Sequence, residues 1–203
     1  MKSVNEPTVL FVRHGNTGQD DVLKGLADPP LNAEGRDHAA RLGRALAEYP
    51  VATIRHSPMS RAANTAQAIS DATGVKAVEA PGLRPMDVGR LSGMKKDAAR
   101  DWMGYYIEHP DKTPPGASET LGDWYDDFSG HVESELAAAK RDPAKVRVNV
   151  THSSESVNIP SVLRGEGLVF RGSATPPPGS ATAVRYRGGQ WRMSDLDLGG
   201  GGE

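Results

Sequence analysis

The sequence predicts an α/β fold, a three-layer α/β/α sandwich with a mostly parallel central sheet, in a single domain over residues 1–203. A chain of 203 residues fits one domain. Short apolar runs alternate with segments of helical periodicity, which is typical of a parallel sheet covered by helices on both faces. The chain carries no internal repeat, and its glycine-rich end at 199–203 is expected to be a flexible tail.

The N-terminal part of the chain alternates predicted strands and helices. The run TVLFVR is short and apolar, which favours a buried strand. A helix is predicted to begin at Ser57-Pro58, because serine suits the N-cap and proline suits the first helical position. In order, the predicted elements are strand Thr8–Arg13, helix Ala33–Glu48, strand Val51–Arg55, a helix from Ser57 to Gly74, and strand Val75–Val78.

The second half of the chain is irregular at first and then regular again. Apolar side chains at helical spacing make Ser118–Lys140 the clearest helix, and Asp142-Pro143 is expected to end it. Two runs on either side of Gly188-Gly189 predict a closing hairpin. The predicted elements here are helix Lys95–Ile107, helix Ser118–Lys140, strand Val146–Val150, and the hairpin strands Ala181–Arg187 and Gln190–Ser194.

Composition argues against several classes of function. Lys and Arg total 24 against 26 Asp and Glu, so the formal net charge of -2 gives no support for binding to nucleic acid or to an anionic membrane. The chain has no cysteine, which excludes disulfides, thiolate metal sites and cysteine nucleophiles. No apolar run reaches the ~20 residues of a membrane span, and the N-terminus lacks a signal-peptide core. A cytoplasmic protein is therefore expected.

Polar residues follow the predicted strands at the points where the strands end. Arg13 and His14 end the first strand, His152 follows Val146–Val150, and Arg61 lies in the first turn of the helix after the second strand. In parallel sheets, ligands bind beyond the carboxyl ends of the strands. These four residues, which are far apart in the sequence, are therefore predicted to meet at one edge of the sheet.

These residue types suit the chemistry of a phosphate monoester. An arginine fork can bond two phosphate oxygens at once, which makes Arg13 and Arg61 candidates for holding the dianion. A neutral imidazole can act as a nucleophile towards phosphorus near pH 7, and this is the role expected of His14. Positive groups near the equatorial oxygens should lower the barrier, and His152 adds a further donor.

Several motifs resemble those of the histidine phosphatase superfamily, also called the phosphoglycerate mutase-like family. The run VRHGNT at Val12–Thr17 is similar to the RHG signature, and SPMSRAANTA at Ser57–Ala66 is similar to the second motif. Three further segments occur in the family's order, at Leu31–Gly35, Pro115–Glu119 and Val150–Ser154. The resemblance covers most of the chain, and it implies a phosphoglycerate mutase-like fold.

The resemblance also implies a role for each residue that matches a motif. His14 would carry the phosphoryl group as phosphohistidine, and Arg13 and Arg61 would clamp its oxygens. His152 would bond a phosphoryl oxygen and stabilise the developing charge. Thr17 would add a hydroxyl donor to the substrate.

The chain departs from the family's pattern at three positions. Asp20 stands where the family often has an asparagine that donates to phosphate, and it is a candidate substrate-binding residue. Pro85 stands where many members have a catalytic glutamate, so Asp87 is the carboxylate expected to protonate a leaving group. Ser153 stands where another branch of the family has its acid, directly after the second histidine.

The sequence-based hypothesis is a phosphatase that hydrolyses a small phosphate monoester through a phosphohistidine intermediate on His14. A phosphoglycerate-type mutase and a catalytically weak phosphate-binding pseudoenzyme stay open as alternatives. The other histidines show no metal-ligand spacing, so neither a metal site nor a cofactor is expected. The expected partner is a small phosphorylated substrate, without nucleic acid or membrane; the particular ester and the oligomeric state do not follow from the sequence.

Overall fold

The computed structural model describes residues 2–172 and 174–196, so the predicted tail at 199–203 lies outside the described residues. The described chain forms a six-stranded sheet with helices on both faces. The strands are β1 (Thr8–Arg13), β2 (Val51–His56), β3 (Ala77–Glu79), β4 (Val146–Thr151), β5 (Ala181–Arg187) and β6 (Gln190–Asp195). The helices are α1 (Ala33–Leu46), α2 (Ser60–Thr73), α3 (Arg100–Glu108), α4 (Leu121–Arg141) and α5 (Ser153–Arg164).

The strands follow the order β3-β2-β4-β1-β5-β6 across the sheet. The first four strands of the chain run parallel to one another, whereas β5 and β6 form an antiparallel hairpin at one edge. The predicted mostly parallel sheet is therefore confirmed. Arg13 at the end of β1 pairs with Thr151 at the end of β4, so His14 and His152 follow at neighbouring positions on the same edge.

Helices cover both faces of the sheet and give the three layers that the sequence predicts. α1 and α2 pack on one face, where their apolar side chains meet those of β1, β2 and β4. α4 packs on the other face, together with the segments before and after it. Alternate side chains of β1 enter the two cores, Leu10 and Val12 on one face and Val9 and Phe11 on the other. This arrangement explains why four consecutive residues of β1, from Val9 to Val12, are apolar.

The helices differ from the predictions at several points, and α4 begins at Leu121 rather than at Ser118. α2 begins at Ser60 rather than at Ser57, because the Ser57 amide still pairs with the carbonyl oxygen of Val150 in β4. The Ser57 hydroxyl bonds the ring of His152, which lies 95 positions away in the chain. The sequence does not predict α5, whose first turn is polar and which contains Pro160. α3 covers only the later part of its predicted range, beginning at Arg100. Each difference lies in a segment whose conformation depends on distant residues.

Candidate active site

β1 ends directly before His14, and the turn that follows fixes the position of the His14 ring. The His14 amide donates to the carbonyl oxygen of Thr151 at 2.9 Å, which continues the pairing with β4 by one residue. Gly15 allows the backbone to pass close to α1, since a Cβ atom there would lie 2.4 Å from the carbonyl oxygen of Gly35. The ring is therefore held at the rigid edge of the sheet.

The His14 ring is buried, and its two nitrogens have different partners. Nδ1 lies 2.7 Å from the carbonyl oxygen of Gly15, which can only accept a hydrogen bond, so Nδ1 carries the proton. Nε2 keeps its lone pair and accepts from Arg61 Nε at 3.2 Å. Burial, and then the positive charge of Arg61, hold the pKa of His14 well below its ordinary value. The ring is therefore neutral near pH 7.

Arg61 lies in the first turn of α2 and is almost completely buried. Its Nη1 donates to the carbonyl oxygen of Ala27 at 2.8 Å and to the carboxylate of Asp28 at 3.0 Å. Asp28 also accepts from the Ser60 amide at 2.7 Å, so one carboxylate holds both the arginine and the start of the helix. These contacts orient the guanidinium so that its Nε faces His14.

Arg13 reaches the same space from the end of β1, but protein acceptors already bind both of its terminal nitrogens. Nη2 donates to Asp20 at 3.0 Å, and Nη1 donates to Thr175 Oγ1 at 3.2 Å and to the carbonyl oxygen of Pro176. Arg13 Nε is buried and has no hydrogen-bond partner within the described chain. Asp20, which is predicted to bind substrate, does not line the pocket and instead holds Arg13.

His152 completes the group from the end of β4. Its ring centroid lies 5.0 Å from that of His14, and the two ring planes are inclined by 63°. Nε2 bonds the hydroxyl of Ser57 at 2.7 Å, whereas Nδ1 is buried without a partner among residues 2–172 and 174–196. Burial, followed by the nearby His14 and Arg61, keeps the pKa of His152 well below its ordinary value.

The four residues that the sequence places at this edge line one small pocket of about 60 Å³. Lys24 and Lys96 also line it, and sequence reasoning missed both lysines. The one available signal is that Lys24 interrupts the apolar run VLKGL; the surroundings of Lys96 in the sequence are polar. Burial lowers the pKa of each lysine to about 8. The Lys96 side chain makes no direct hydrogen bond or ion pair with another described residue, so its ammonium group is available to an anion.

Asp87 and Thr17 lie outside this pocket. The Asp87 carboxylate accepts from the Gly89 amide at 2.9 Å, and from the amide and hydroxyl of Ser118 at 2.8 and 2.9 Å. Burial by itself would raise the pKa of Asp87, but these three hydrogen bonds outweigh burial and lower it. Asp87 is therefore ionised near pH 7 and closes a loop, which does not fit its predicted role as proton donor. The Thr17 hydroxyl is buried without a described partner and does not reach the substrate space.

No group of three His, Cys, Asp or Glu side chains within the described ranges is arranged to hold a metal ion. In the same part of the chain, no helix combines the length and the apolar character needed to cross a bilayer. The polar groups that line the pocket include two imidazoles, two guanidiniums and two ammonium groups.

A sheet that presents two neutral imidazoles and two arginines beyond adjacent parallel strands defines the class of histidine phosphatase-like α/β proteins. Comparison with known families agrees with this geometry. The chain belongs to the histidine phosphatase superfamily (branch 1), whose family model matches residues 9–198.

Relatives in sequence include proteins named as mutases and as phosphatases. A 2,3-bisphosphoglycerate-dependent phosphoglycerate mutase of Rhizobium meliloti is 34% identical over 128 residues, which are 57% of this chain and 60% of the mutase. The chain thus matches less than two thirds of the length of that mutase. A Hydrogenobacter thermophilus protein provisionally named phosphoserine phosphatase 2 is 28% identical over 170 residues, covering 79% of this chain and 80% of that protein.

Solved structures share the fold over nearly the whole chain. A mycobacterial glucosyl-3-phosphoglycerate phosphatase superposes with a TM-score of 0.73 at 20% identity, covering 97% of this chain and 99% of the other. A phosphoglycerate mutase from Bacillus anthracis superposes with a TM-score of 0.70 at 19% identity, covering 97% and 95%. These likenesses confirm the phosphoglycerate mutase-like fold.

Proposed function

We propose that this protein is a phosphatase that hydrolyses a small phosphate monoester through a phosphohistidine intermediate on His14. One observation carries the proposal: a neutral, buried imidazole, whose Nε2 keeps its lone pair and accepts from Arg61, lines a pocket together with two arginines and two lysines. A protonated imidazole has no lone pair with which to attack phosphorus. Without cations around it, the imidazole would also have no means of binding a phosphate dianion.

In the first step, Nε2 of His14 attacks phosphorus and the bond to the leaving oxygen breaks. The ring becomes positively charged, and its Nδ1 proton stays hydrogen-bonded to the carbonyl oxygen of Gly15. Negative charge on the equatorial oxygens is stabilised by Arg61, by Arg13 and by the nearby His152.

In the second step, a water molecule attacks the phosphorus of phospho-His14. The bond between phosphorus and Nε2 breaks, inorganic phosphate is released, and His14 returns to its neutral form. The hydrogen bond from Nδ1 to Gly15 holds the ring in the same orientation through both steps.

The charges of the pocket match one phosphate dianion. Asp20 pairs with both Arg13 and Lys24, and Asp28 pairs with Arg61. The two arginines and two lysines of the pocket therefore keep an excess of two positive charges over these carboxylates. Because the pKa of each lysine is about 8, this charge is present near pH 7 and is lost as the pH rises above that value. We therefore expect phosphate binding to weaken above about pH 8.

A phosphoglycerate-type mutase is the second candidate, because the Rhizobium meliloti relative carries that name at 34% identity. A mutase would return the phosphoryl group from His14 to a bound phosphoglycerate, whereas a phosphatase passes it to water. Product analysis with 3-phosphoglycerate separates the two. Net release of inorganic phosphate supports the phosphatase, and isomerisation without net release supports the mutase.

The experiment that tests the proposal traps the intermediate. Wild-type protein and His14→Ala are mixed with a panel of labelled esters that includes 3-phosphoglycerate, phosphoserine and glycerol 3-phosphate. The wild type should form an acid-labile phosphoryl adduct and release phosphate, and the variant should do neither. An adduct of equal size in His14→Ala would contradict the proposal, and phosphate binding without turnover in the wild type would support the pseudoenzyme.

A further inference from the structure

An alkyl phosphate ester needs a proton on its leaving oxygen, and the pocket lacks the carboxyl group that was expected to supply it. Pro85 lines the pocket at the position where many family members have a glutamate. Asp87 is held by Gly89 and Ser118 outside the pocket. The proton donor therefore has to come from another group at this edge of the sheet.

Glu155 is a buried carboxyl group at this edge that the two steps above do not use. It is the third residue of α5, which begins directly after His152, and it is completely buried. Its Oε1 has no hydrogen-bond partner among the described residues. Its Oε2 lies 2.6 Å from the hydroxyl of Ser154, and Ser154 lines the pocket together with His14. The Ser154 hydroxyl therefore links the Glu155 carboxyl group to the pocket that His14 lines.

The surroundings of Glu155 favour its neutral form. Arg61 and Arg84 are the cations whose charge acts on it, and each of them is already paired with other carboxylates. Burial raises the pKa of Glu155 to about 8, although the Ser154 hydrogen bond and the two arginines oppose that rise. A buried carboxylate with an unpartnered oxygen would be costly, whereas a carboxylic acid has less need of partners. Near pH 7 the group therefore holds a proton.

We propose that Ser154 and Glu155 form a proton relay that protonates the leaving oxygen of an alkyl phosphate, in place of the carboxyl group that Pro85 removes. The inference rests on the proposed phosphatase function. Ser154 touches the substrate, and Glu155 acts through Ser154.

The protons balance over one catalytic cycle. As Nε2 of His14 attacks phosphorus and the bond to the leaving oxygen breaks, the Ser154 hydroxyl gives its proton to that oxygen. Ser154 takes a proton from Glu155 at the same time, the alcohol departs, and Glu155 is left as a carboxylate. When water attacks phospho-His14, a proton of that water returns through Ser154 to Glu155, and inorganic phosphate leaves.

The test compares an alkyl ester with p-nitrophenyl phosphate, whose leaving group needs little help from a proton donor. The alkyl ester is the one that the wild type turns over fastest among 3-phosphoglycerate, phosphoserine and glycerol 3-phosphate. Glu155→Gln keeps the shape of the side chain but removes its acidic proton. We expect kcat/KM on the alkyl ester to fall about 10²-fold or more, with kcat/KM on p-nitrophenyl phosphate nearly unchanged. Ser154→Ala, which is a milder change to the fold, should show the same selective loss.

The matched control is Glu135→Gln, because Glu135 is a buried glutamate that pairs with Arg147 outside the pocket. This variant should leave the ratio of the two activities unchanged. The relay is overturned if Glu155→Gln lowers both activities equally or lowers neither. It is also overturned if Lys96→Met alone gives the loss that is selective for the alkyl ester. If the wild type hydrolyses neither the alkyl esters nor the aryl ester, the phosphatase proposal itself is wrong. That result differs from failure of the relay alone, in which the wild type is active.

The pH profile adds a readout that a structural role would not move. In the wild type, the ratio of alkyl to aryl kcat/KM should fall above about pH 8, as Glu155 loses its proton. Lys24 and Lys96 lose charge in the same range, but they act on the phosphate of both esters, so their effect cancels in the ratio. In Glu155→Gln the ratio should be low and independent of pH. A ratio that still falls in the variant would contradict the relay.

Discussion

Two buried polar clusters lie along β4, and they differ in how completely their hydrogen bonds are satisfied. The first, which we call the α4 cluster, joins Glu135 and His131 of α4 to Arg147 and Asn149 of β4. Glu135 accepts from Arg147 at 2.8 and 3.1 Å and from Asn149 at 3.4 Å, and His131 Nε2 bonds Asn149 Oδ1 at 2.8 Å. Within the described chain, none of these four side chains has a buried polar atom without a partner.

The second cluster lies at the end of β4, around the pocket that His14 and His152 line. Arg13 Nε, His152 Nδ1 and Glu155 Oε1 are all buried there without a described partner. The two buried glutamates show the contrast most clearly. Burial raises the pKa of Glu155 to about 8, whereas the hydrogen bonds and charge of Arg147 outweigh burial at Glu135 and lower its pKa.

We interpret the α4 cluster as part of the fold and the pocket cluster as part of the proposed active site. An unsatisfied buried polar group lowers the stability of the folded state, so a cluster of such groups indicates a site that is completed by something that binds. A satisfied cluster needs nothing further. Changes at the pocket should therefore act mainly on activity, and changes in the α4 cluster should act mainly on stability.

The largest effect is expected from His14→Ala, which removes the nucleophile. We expect kcat/KM on every ester to fall to the background, a loss on the order of 10⁴-fold or more. Steady-state assays measure the loss, and circular dichroism checks that the variant is folded. If the variant keeps a tenth of the wild-type activity, the prediction that changes at the pocket act mainly on activity is wrong for its central residue.

The next effect is expected from Arg61→Met, which removes a fork that stabilises charge on the equatorial oxygens. The expected loss in kcat is about 10²–10³-fold, which corresponds to about 2.7–4 kcal/mol. Arg61→Lys should recover little of it, because a single ammonium group cannot replace the separate Nε and Nη1 donors that face His14 and Asp28. Full rescue by lysine would show that only the charge at this position matters.

Glu135→Gln tests the other cluster and should act on stability alone. We expect the free energy of unfolding at pH 7 to fall by about 1.5–3 kcal/mol, because the hydrogen bonds that Arg147 donates lose their charged acceptor. The pKa of Glu135 is lowered in the folded state, so its contribution is present above the ordinary pKa of a glutamate and is lost as the pH falls through the lowered value. The difference between wild type and variant, measured by urea unfolding, should therefore shrink between pH 5 and pH 3. We also expect kcat to be unchanged. A fall in kcat would show that the α4 cluster contributes to activity as well as to stability.

The smallest effect is expected from His131→Leu, which leaves Asn149 Oδ1 without its ring partner. The loss of one hydrogen bond should reduce the free energy of unfolding by about 1 kcal/mol. His109→Leu, at an exposed position outside both clusters, serves as the control and should change stability by less than about 0.5 kcal/mol. Equal unfolding midpoints for the two variants would show that the hydrogen bond of His131 in the α4 cluster does not contribute to stability.

The sequence predicts those parts of the fold and the pocket that depend on local signals. The apolar run of β1, the helix of α4 and the hairpin of β5 and β6 each follow from short-range patterns of apolar residues and turns. Topology then places His14, Arg61 and His152 at one edge, because parallel strands share the direction in which they end. These predictions need no knowledge of which side chains touch.

The remaining features depend on contacts between distant residues. The sequence predicts Ser57 as an N-cap, but its hydroxyl bonds His152. The residues around Ser57 in the sequence give no sign of that bond. Lys96 and Glu155 stand among polar neighbours in the sequence, and only the tertiary structure buries them next to the pocket. Asp87 fits a family motif by position, and its loop nevertheless directs the carboxylate to Ser118.

Two of the acceptors that orient Arg13 belong to the segment between α5 and β5. Thr175 lies 162 positions after Arg13, and the carbonyl oxygen of Pro176 binds the same nitrogen. A ribosome delivers the N-terminal end of a chain first, so Arg13 is synthesised long before these acceptors exist. The nascent protein would thus lack two acceptors for Arg13 until Thr175 and Pro176 are synthesised, and a product truncated before Thr175 would keep His14 without these acceptors beside it.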